Sequence, residues 1–451
     1  MRLFLVSTNT TCEPFPVYPL GMAVIAAALV KAGHEVEQFD FLVAGQSEAR
    51  LRERLRAFRP DCVGLSIRNL DNCDSLTACS YPAVAKRIVA LVRETAQVPV
   101  VLGGPAFSIL PEELLAFTGA DHGVVGEGEA LICGLVHDLA AGRTPPSILR
   151  NLQLLPGPGM PSPLLTQDLV NYYLAESGMV NLQSKRGCPH GCIYCSYANL
   201  EGTGYRFREP GAVVDDLERA KLDHGVERVF FTDAVFNDTE DRYLAVVDEL
   251  LRRDLKLGWC CYLRPQGLGR AELALMKRAG LQAVEVGTDG ATDTTLKGLG
   301  KGFSFAEVLE VQRACVAERI PAAHFVMFGG PGETPETMAE GLANLDRLEY
   351  AVVFAFSGIR ILPDTPLRHR AVRDGLLAED ANLREPVFYQ SPGIAAEVMN
   401  AVLLEAFRGR RDRIFPPSRS EERRAILHRF GYRGLLWDTL IQFPPLQESP
   451  C

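Results

Sequence analysis

The sequence predicts an α/β protein: a doubly wound parallel sheet, then a partial (βα)6 barrel, then a small, mainly helical C-terminal region. Three observations predict it. Strand and helix signals alternate from residue 1 to about 145, they alternate again in about six units from 179 to 370, and the alternation stops after 371. Strands separated by helices pair in parallel, because each crossover returns the chain to the same end of the sheet. The expected divisions are 1–145, a linker at 146–178, 179–370 and 371–451.

In the first unit the strand candidates are Arg2–Thr8, Glu35–Phe41, Cys62–Arg68, Val98–Gly104 and His122–Gly128. Amphipathic stretches lie between them, such as Leu20–Ala32 and Glu48–Phe58. Such Rossmann-like sheets bind ligands beyond the carboxyl ends of their strands. Those ends carry Thr8-Asn9, Arg68-Asn69, Gly103-Gly104-Pro105 and Gly126-Glu127-Gly128-Glu129, and Pro19-Leu20-Gly21 opens the first helix. Small residues there let a large ligand approach the backbone. The unit reads as a nucleotide- or cofactor-binding layer. The Pro-, Gly- and Leu-rich segment 151–163 reads as a surface linker.

In the second unit the strand candidates are Met179–Ser184, Arg228–Asp233, Leu257–Arg264, Gln282–Gly287, Ala322–Gly329 and Val352–Ile361. Ser304-Phe305-Ala306-Glu307 is a capping box, and Thr334 before Pro335 is an N-cap with proline at the first helical position. βα units of this kind curl into a TIM-type barrel with chemistry at the carboxyl ends of the strands. Polar groups gather there: Asp233 and Asn237, Arg264, Glu285 and Thr288, and the turn Gly329-Gly330-Pro331-Gly332-Glu333. After 371, Glu397–Phe407 and Glu421–Phe430 read as helices, and 388–392 and 408–415 as loops. This region either closes the barrel mouth or only packs.

Between the first two barrel strands lies Gly187-Cys188-Pro189-His190-Gly191-Cys192-Ile193-Tyr194-Cys195, a C-x3-C-x2-C run. Three thiolates can hold three irons of a [4Fe-4S] cube and leave the fourth open to a ligand. A zinc site would need a fourth ligand, such as His190 or Cys260, and a ferredoxin would be shorter with other spacings. Neither alternative explains the strands and helices that follow.

The net charge of −9 disfavours nonspecific binding to nucleic acid or anionic lipid. There is no run of about 20 apolar residues to span a membrane, and the N-terminus reads as a strand, not a signal peptide. Twelve irregularly spaced cysteines point to a reducing, cytoplasmic setting.

The cysteine run and its barrel resemble the radical SAM (S-adenosylmethionine) family. The resemblance implies that Cys188, Cys192 and Cys195 ligate the cluster, that the open iron chelates SAM, and that Tyr194 lies next to the adenine. It implies that Asp233, then Asn237, meets the SAM ammonium, and that Arg264 meets a carboxylate or substrate anion. Glu285 and Thr288 become ribose or methionine contacts, and Gly329, Gly330 and Glu333 border the adenine. The glycine-marked strand ends of the first unit resemble the cobalamin-binding domain that precedes many radical SAM domains, with Gly21, Gly103, Gly104, Gly126, Glu127 and Gly128 toward the corrinoid. The D-x-H-x-x-G motif is absent, so no histidine is expected on cobalt. Arg68 and Asn69 are the candidates for that face; otherwise Arg68 only pairs with Asp71. The tail, with Phe388-Tyr389 and Trp437, looks like members assigned to lipid biosynthesis. Together these imply a C-methyltransferase that uses a 5′-deoxyadenosyl radical and methylcobalamin on a small-molecule or lipid-like substrate. An electron donor such as flavodoxin or ferredoxin would supply it. A cyclase, rearrangement or oxidation enzyme, or a non-catalytic carrier, are the other readings.

Overall fold

The structure is a computed structural model that describes residues 1–151 and 153–444. Six strands build the first sheet: β1 (Arg2–Ser7), β2 (Glu35–Asp40), β3 (Cys62–Ser66), β4 (Val100–Gly103), β5 (His122–Val125) and β6 (Ile148–Arg150). They lie in the order β2-β1-β3-β4-β5-β6, all parallel. Both faces are covered, so the inner strands β1, β3 and β4 are largely apolar, while the edge strand β2 carries Glu35, Glu37 and Gln38. Leu3, Leu5 and Val101 pack with helices Leu20–Lys31 and Glu129–Ala140 on one face. Phe4, Val6, Val63 and Val100 pack with helices Glu48–Phe58, Pro82–Thr95 and Pro111–Thr118 on the other. The connections change direction between β1 and β3, which opens a ligand crevice there.

Two elements correct the expected linker at 146–178. Ile148–Arg150 continues the first sheet by pairing with β5. Gln167–Ser177 is a helix whose Leu169, Val170 and Tyr173 sit in one core with residues of both sheets. A short apolar strand beside a proline-rich stretch carries too little periodicity to read.

The second sheet contains β7 (Val180–Leu182), β10 (Arg228–Phe231), β11 (Gly258–Leu263), β12 (Leu281–Asp289), β13 (Ala322–Phe328), β14 (Ala351–Ser357) and β17 (Arg413–Ile414). Two antiparallel ribbons hang from it, β8 (Lys185–Arg186) with β9 (Arg206–Phe207), and β15 (Ile359–Arg360) with β16 (Phe388–Tyr389). The order β17-β14-β13-β12-β11-β10-β7 is sequential and parallel, and β7 does not pair with β17, so the barrel stays open. The Ser304 capping box and the Thr334 cap form as read.

The C-terminal region departs from expectation in two ways. Arg413–Ile414, read as loop, is a seventh barrel strand beside β14. Trp437 does not sit at the mouth. It packs with Phe15, Phe230 and Phe354 inside the barrel, and Asp438 pairs at 2.5 Å with Arg228, the first residue of β10. That places it at the amino-terminal end, opposite the chemistry. The 388–394 segment reaches the carboxyl end, where Ser391 N donates to Gly329 O at 2.8 Å, and Leu377 and Leu383 pack with Leu299 beside the cysteine loop. No helix among the described residues is long and apolar enough to cross a membrane.

Candidate active site

The carboxyl ends of both sheets open on one cavity of about 660 Å³. From the first sheet it is lined by Gly21, Arg68, Asn69, Gly103, Gly104, Gly126, Glu127 and Gly128, and from the barrel side by Gln183, Tyr197, Glu201, Thr232 and Tyr262. Every residue read as a corrinoid contact therefore meets in one place. Gly104 has φ +92°, and a Cβ there would stand 2.6 Å from Ile67 O, so this turn requires glycine. At Gly21 and Gly126 a Cβ would meet nothing within 4 Å, so the strand ends leave open space for a ligand. None of the described residues that line the cavity is a histidine.

Arg68 does not pair with Asp71. Asp71 accepts from Arg360 Nε at 2.5 Å across the two units. Arg68 instead lines the cavity, as do Tyr197 and Tyr262 from the barrel side. Glu127 is turned toward the interface. It pairs with Arg206 at 2.6 Å and with Arg186 at 3.2 Å, while Glu129 takes Arg186 at 2.7 Å. Glu127 thus lines the cavity and also clamps the sheets together. These pairs are nearly out of water, so breaking one would leave a buried charge behind.

The cysteine loop hangs from the β8–β9 ribbon. Gly187 has φ +89°, and a Cβ there would press on Gly204 O. Cys188 N donates to Gly202 O at 3.0 Å, and Ile193 is held by Leu299 O at 3.1 Å. Burial raises the Cys188 and Cys195 thiols, the latter to about 11, and each feels the neighbouring loop cysteines. The three cysteines stand on one short loop, and among the described residues their side chains do not form a ready-made metal-binding group, so a cluster would have to draw them together. The charges of Arg264 and Lys301 also reach Cys188. Softness and charge in this donor set suit an iron–sulfur cluster, whose irons would draw the thiols into their thiolate form. Of the two other ligands considered for zinc, Cys260 is buried in the aromatic cluster with Trp437, and His190 Nε2 lies 3.2 Å from the Tyr205 hydroxyl.

Beside the loop, Tyr194 donates its hydroxyl to Asp289 at 2.6 Å, and Asp289 also pairs with Lys301. Asp289 and Lys301 escaped the sequence reading; the signal was Asp289 itself, at a strand end where a small residue is usual. Arg264 lies over the Phe303 ring at 4.8 Å and donates to Lys301 O.

Four residues expected at the ligand have protein partners in the structure. Asp233 is fully buried and accepts from Ser184 N at 2.7 Å, Lys185 N at 3.2 Å and the Ser184 hydroxyl, so it anchors the start of the cysteine loop. Asn237 accepts from Arg264 N at 2.9 Å and donates to Arg264 O at 3.0 Å, which fixes the end of β11. Thr288 is bonded at 2.8 Å to His324, whose other nitrogen meets Gln312 of the outer helix Phe305–Ala317 at 2.9 Å. Glu333 accepts from Gly329 N at 3.2 Å and Thr337 Oγ1 at 2.8 Å, so it shapes the Gly329-Gly330 turn. Glu285 alone of this group keeps an unsatisfied oxygen.

Residues 6–136 match the B12 binding domain family and residues 182–343 the radical SAM superfamily. The chain is 27% identical to the tryptophan 2-C-methyltransferase of Streptomyces laurentii, covering 77% of this chain and 71% of that protein. It is 26% identical to the hopanoid C-2 methylase of Rhodopseudomonas palustris, covering 65% and 56%. Its fold matches the radical S-adenosylmethionine methyltransferase TsrM from Kitasatospora setae, solved with cobalamin and a [4Fe-4S] cluster, at TM-score 0.84 and 23% identity over 97% of both chains. With a B12 binding sheet opening on the same cavity as a cysteine-bearing barrel, the chain belongs to the cobalamin-binding radical SAM proteins.

Proposed function

We propose that the protein transfers the methyl group of SAM to a carbon of a small-molecule or lipid-like substrate. One observation carries the reading: the two sheets share a single cavity, with the glycine-rich strand ends on one wall and Tyr262, Arg186, Ser196 and Tyr197 on the other, the last three flanking the cysteine loop. A carrier protein needs no such enclosed meeting place. The named relatives, a tryptophan and a hopanoid methylase, agree with it.

Bound here, an iron–sulfur cluster supplies one-electron reduction of SAM, and cobalamin supplies a carrier for its methyl group. The chain's residues do the rest. Cys188, Cys192 and Cys195 would hold three irons. Tyr194, fixed by Asp289, and the backbone turn at Gly329-Gly330 border the space for SAM. Arg264 and Lys301 place positive charge near the loop, suited to a carboxylate. Gly21, Gly103, Gly104, Gly126 and Gly128 leave room for the corrinoid. Arg68 holds a charge that cannot readily ligate metal toward it. Tyr197 and Tyr262 help to exclude water. A small redox protein such as flavodoxin or ferredoxin would be the electron donor. Eleven free cysteines among the described residues fit a cytoplasmic setting.

The test is anaerobic reconstitution with iron, sulfide, cobalamin, SAM and reductant. Methyl transfer produces S-adenosylhomocysteine in step with product, with 5′-deoxyadenosine and methionine from SAM cleavage. Product without S-adenosylhomocysteine would mean cyclisation or oxidation, and no SAM consumption would mean a carrier.

A further inference from the structure

One segment is opposite in sign to the rest of the chain. Residues 408–433 hold nine arginines, no lysine and three acidic residues, in a chain of net charge −9. The helix Arg419–Arg429 and the loop before it form one surface, because Arg423 donates to the carbonyls of Arg410 at 3.1 Å, of Arg413 at 3.0 Å and of Arg411. Arg408, Arg410, Arg413 and Arg424 are paired with carboxylates. Arg411, Arg419, Arg429 and Arg433 are exposed, and among the described residues neither they nor Arg423 have an acidic partner. The helix dipole accounts for cations at its carboxyl end, Arg429 and Arg433. It does not account for Arg419, which stands in the first turn, where a cation is disfavoured. Burial and the Arg419 charge together push Arg423 below the usual arginine range, so like charges crowd here.

Apolar side chains sit among these charges. Phe430 is 76% exposed, Tyr432 55% and Ile426 53%. Ile426, Arg429 and Phe430 stand three and four residues apart on one side of the helix end. The chain then folds back, with Tyr432 N donating to Leu427 O at 3.1 Å. Exposed aromatic rings bordered by arginine have the composition of a protein interface hot spot. A helix lying on a membrane would carry a continuous apolar face, and this one has Arg, Glu or His on every side. The helix begins beside the cavity. Leu427 packs on the cluster that holds Phe15 and Val17, and Val17 and Glu13 line the cavity. Burial and the Glu421 carboxyl push Glu13 up. From Glu421 to Phe430 the chain rises roughly 14 Å along the helix. Beyond it, a Cβ on Gly178, before β7, would stand 3.6 Å from Gly434 N, so the surface descends toward the amino-terminal end of the barrel. The cysteine loop stands at the other end, so an electron donor seated here would be remote from the cluster.

We propose that this surface docks an acidic carrier protein, which presents the substrate to the cavity on a tethered arm. A partner of opposite charge matches the unpaired arginines, and Phe430 and Tyr432 supply its apolar anchor. A protein cannot enter a cavity of about 660 Å³, so a partner seated beside it delivers a small group on an arm about as long as the helix. The proposal rests on the methyl-transfer reading only in taking this cavity as the substrate's.

Holo acyl carrier protein is the probe: small, acidic and fitted with a phosphopantetheine arm. Its binding to the reconstituted holoprotein is measured by fluorescence anisotropy. A nitroxide on the arm thiol reports approach to bound cob(II)alamin by EPR. Binding should weaken with salt, and the double variant Arg419→Glu, Arg429→Glu should weaken it more than about tenfold. Phe430→Ala should weaken it about tenfold and leave the melting temperature unchanged, as expected of an exposed ring. SAM and cobalamin affinities should stay at the parent's values in both variants. The nitroxide signal should broaden when cob(II)alamin is present. No binding of the carrier protein, equal binding by the charge-reversed variant, or an unbroadened signal would overturn the proposal. So would tighter binding of phosphatidylglycerol vesicles or of duplex DNA, which assigns the arginines to phosphate. A fall in melting temperature with Phe430→Ala would also overturn it, because the ring would then belong to the core. No turnover is required, so this result and that of the methyl-transfer assay are read separately.

Discussion

On the proposed reading, the three thiols in a loop of eight residues carry the chemistry and are the least replaceable side chains in the chain. Cys188→Ala, Cys192→Ala and Cys195→Ala should each abolish SAM cleavage, read as methionine and 5′-deoxyadenosine, and lower bound iron. Cys73, on a loop of the first unit, and Cys12 should tolerate alanine; Cys451 lies outside the described residues. A triple alanine variant with a normal [4Fe-4S] spectrum would contradict the assignment. Arg68 is the second sensitive residue. It lines the cavity, and Asp71 is taken by Arg360. Arg68→Ala should retain the cluster and SAM, shift the visible and EPR spectra of bound cob(II)alamin, and slow methyl transfer about tenfold, the effect of ~1.4 kcal/mol on a barrier. Arg68→Lys keeps the charge without the planar fork and should fall between. Spectra and turnover equal to the parent would reduce Arg68 to packing.

At the scale of elements, β12, β13 and the helix Phe305–Ala317 are tied by the buried Thr288–His324–Gln312 chain. Burial pushes His324 down from 6.5 to about 3. A depressed histidine is neutral in the fold and takes a proton more readily when unfolded. Its stabilising contribution is therefore present above pH 6.5 and is lost as pH falls from 6.5 toward 3. At pH 5 the cost is about 2 kcal/mol. Melting temperature should fall between pH 7 and 5, and His324→Gln should flatten that limb; an unchanged slope would remove His324 as its source. These three residues also show what was legible. The alternation of strands, the Ser304 and Thr334 caps and the strand-end position of Thr288 could be read from local pattern. Thr288's partner could not, because His324 is 36 residues away. The same holds for Asp233, whose bonds to Ser184 cross 49 residues, and for Asn237 on Arg264. Polar residues at strand ends were visible as a class; which of them face a ligand and which hold a neighbouring loop depends on contacts that no spacing encodes. Arg413–Ile414 escaped because two residues carry no periodicity.

The two sheets act as one molecule. Their core is continuous through Tyr18, Tyr173 and the helix Gln167–Ser177, and Glu127, Arg186 and Arg206 bind them at the cavity rim. The first unit was expected over residues 1–145. The structure gives that segment an incomplete sheet and an exposed share of the common core, so the cofactor-binding unit extends at least through β6 and leans on the barrel. Sharing one cavity is also what the account of function depends on. If both sheets serve one reaction there, the methyl of SAM must pass through the corrinoid on its way to the substrate. The direct measurement is a single-turnover experiment with methyl-labelled SAM and the anaerobically reconstituted holoprotein, quenched before and after substrate is added. The account predicts label recovered first with the corrinoid fraction, then moving into product as S-adenosylhomocysteine accumulates. Label that reaches product without entering the corrinoid, or never leaves SAM while 5′-deoxyadenosine forms, would contradict it.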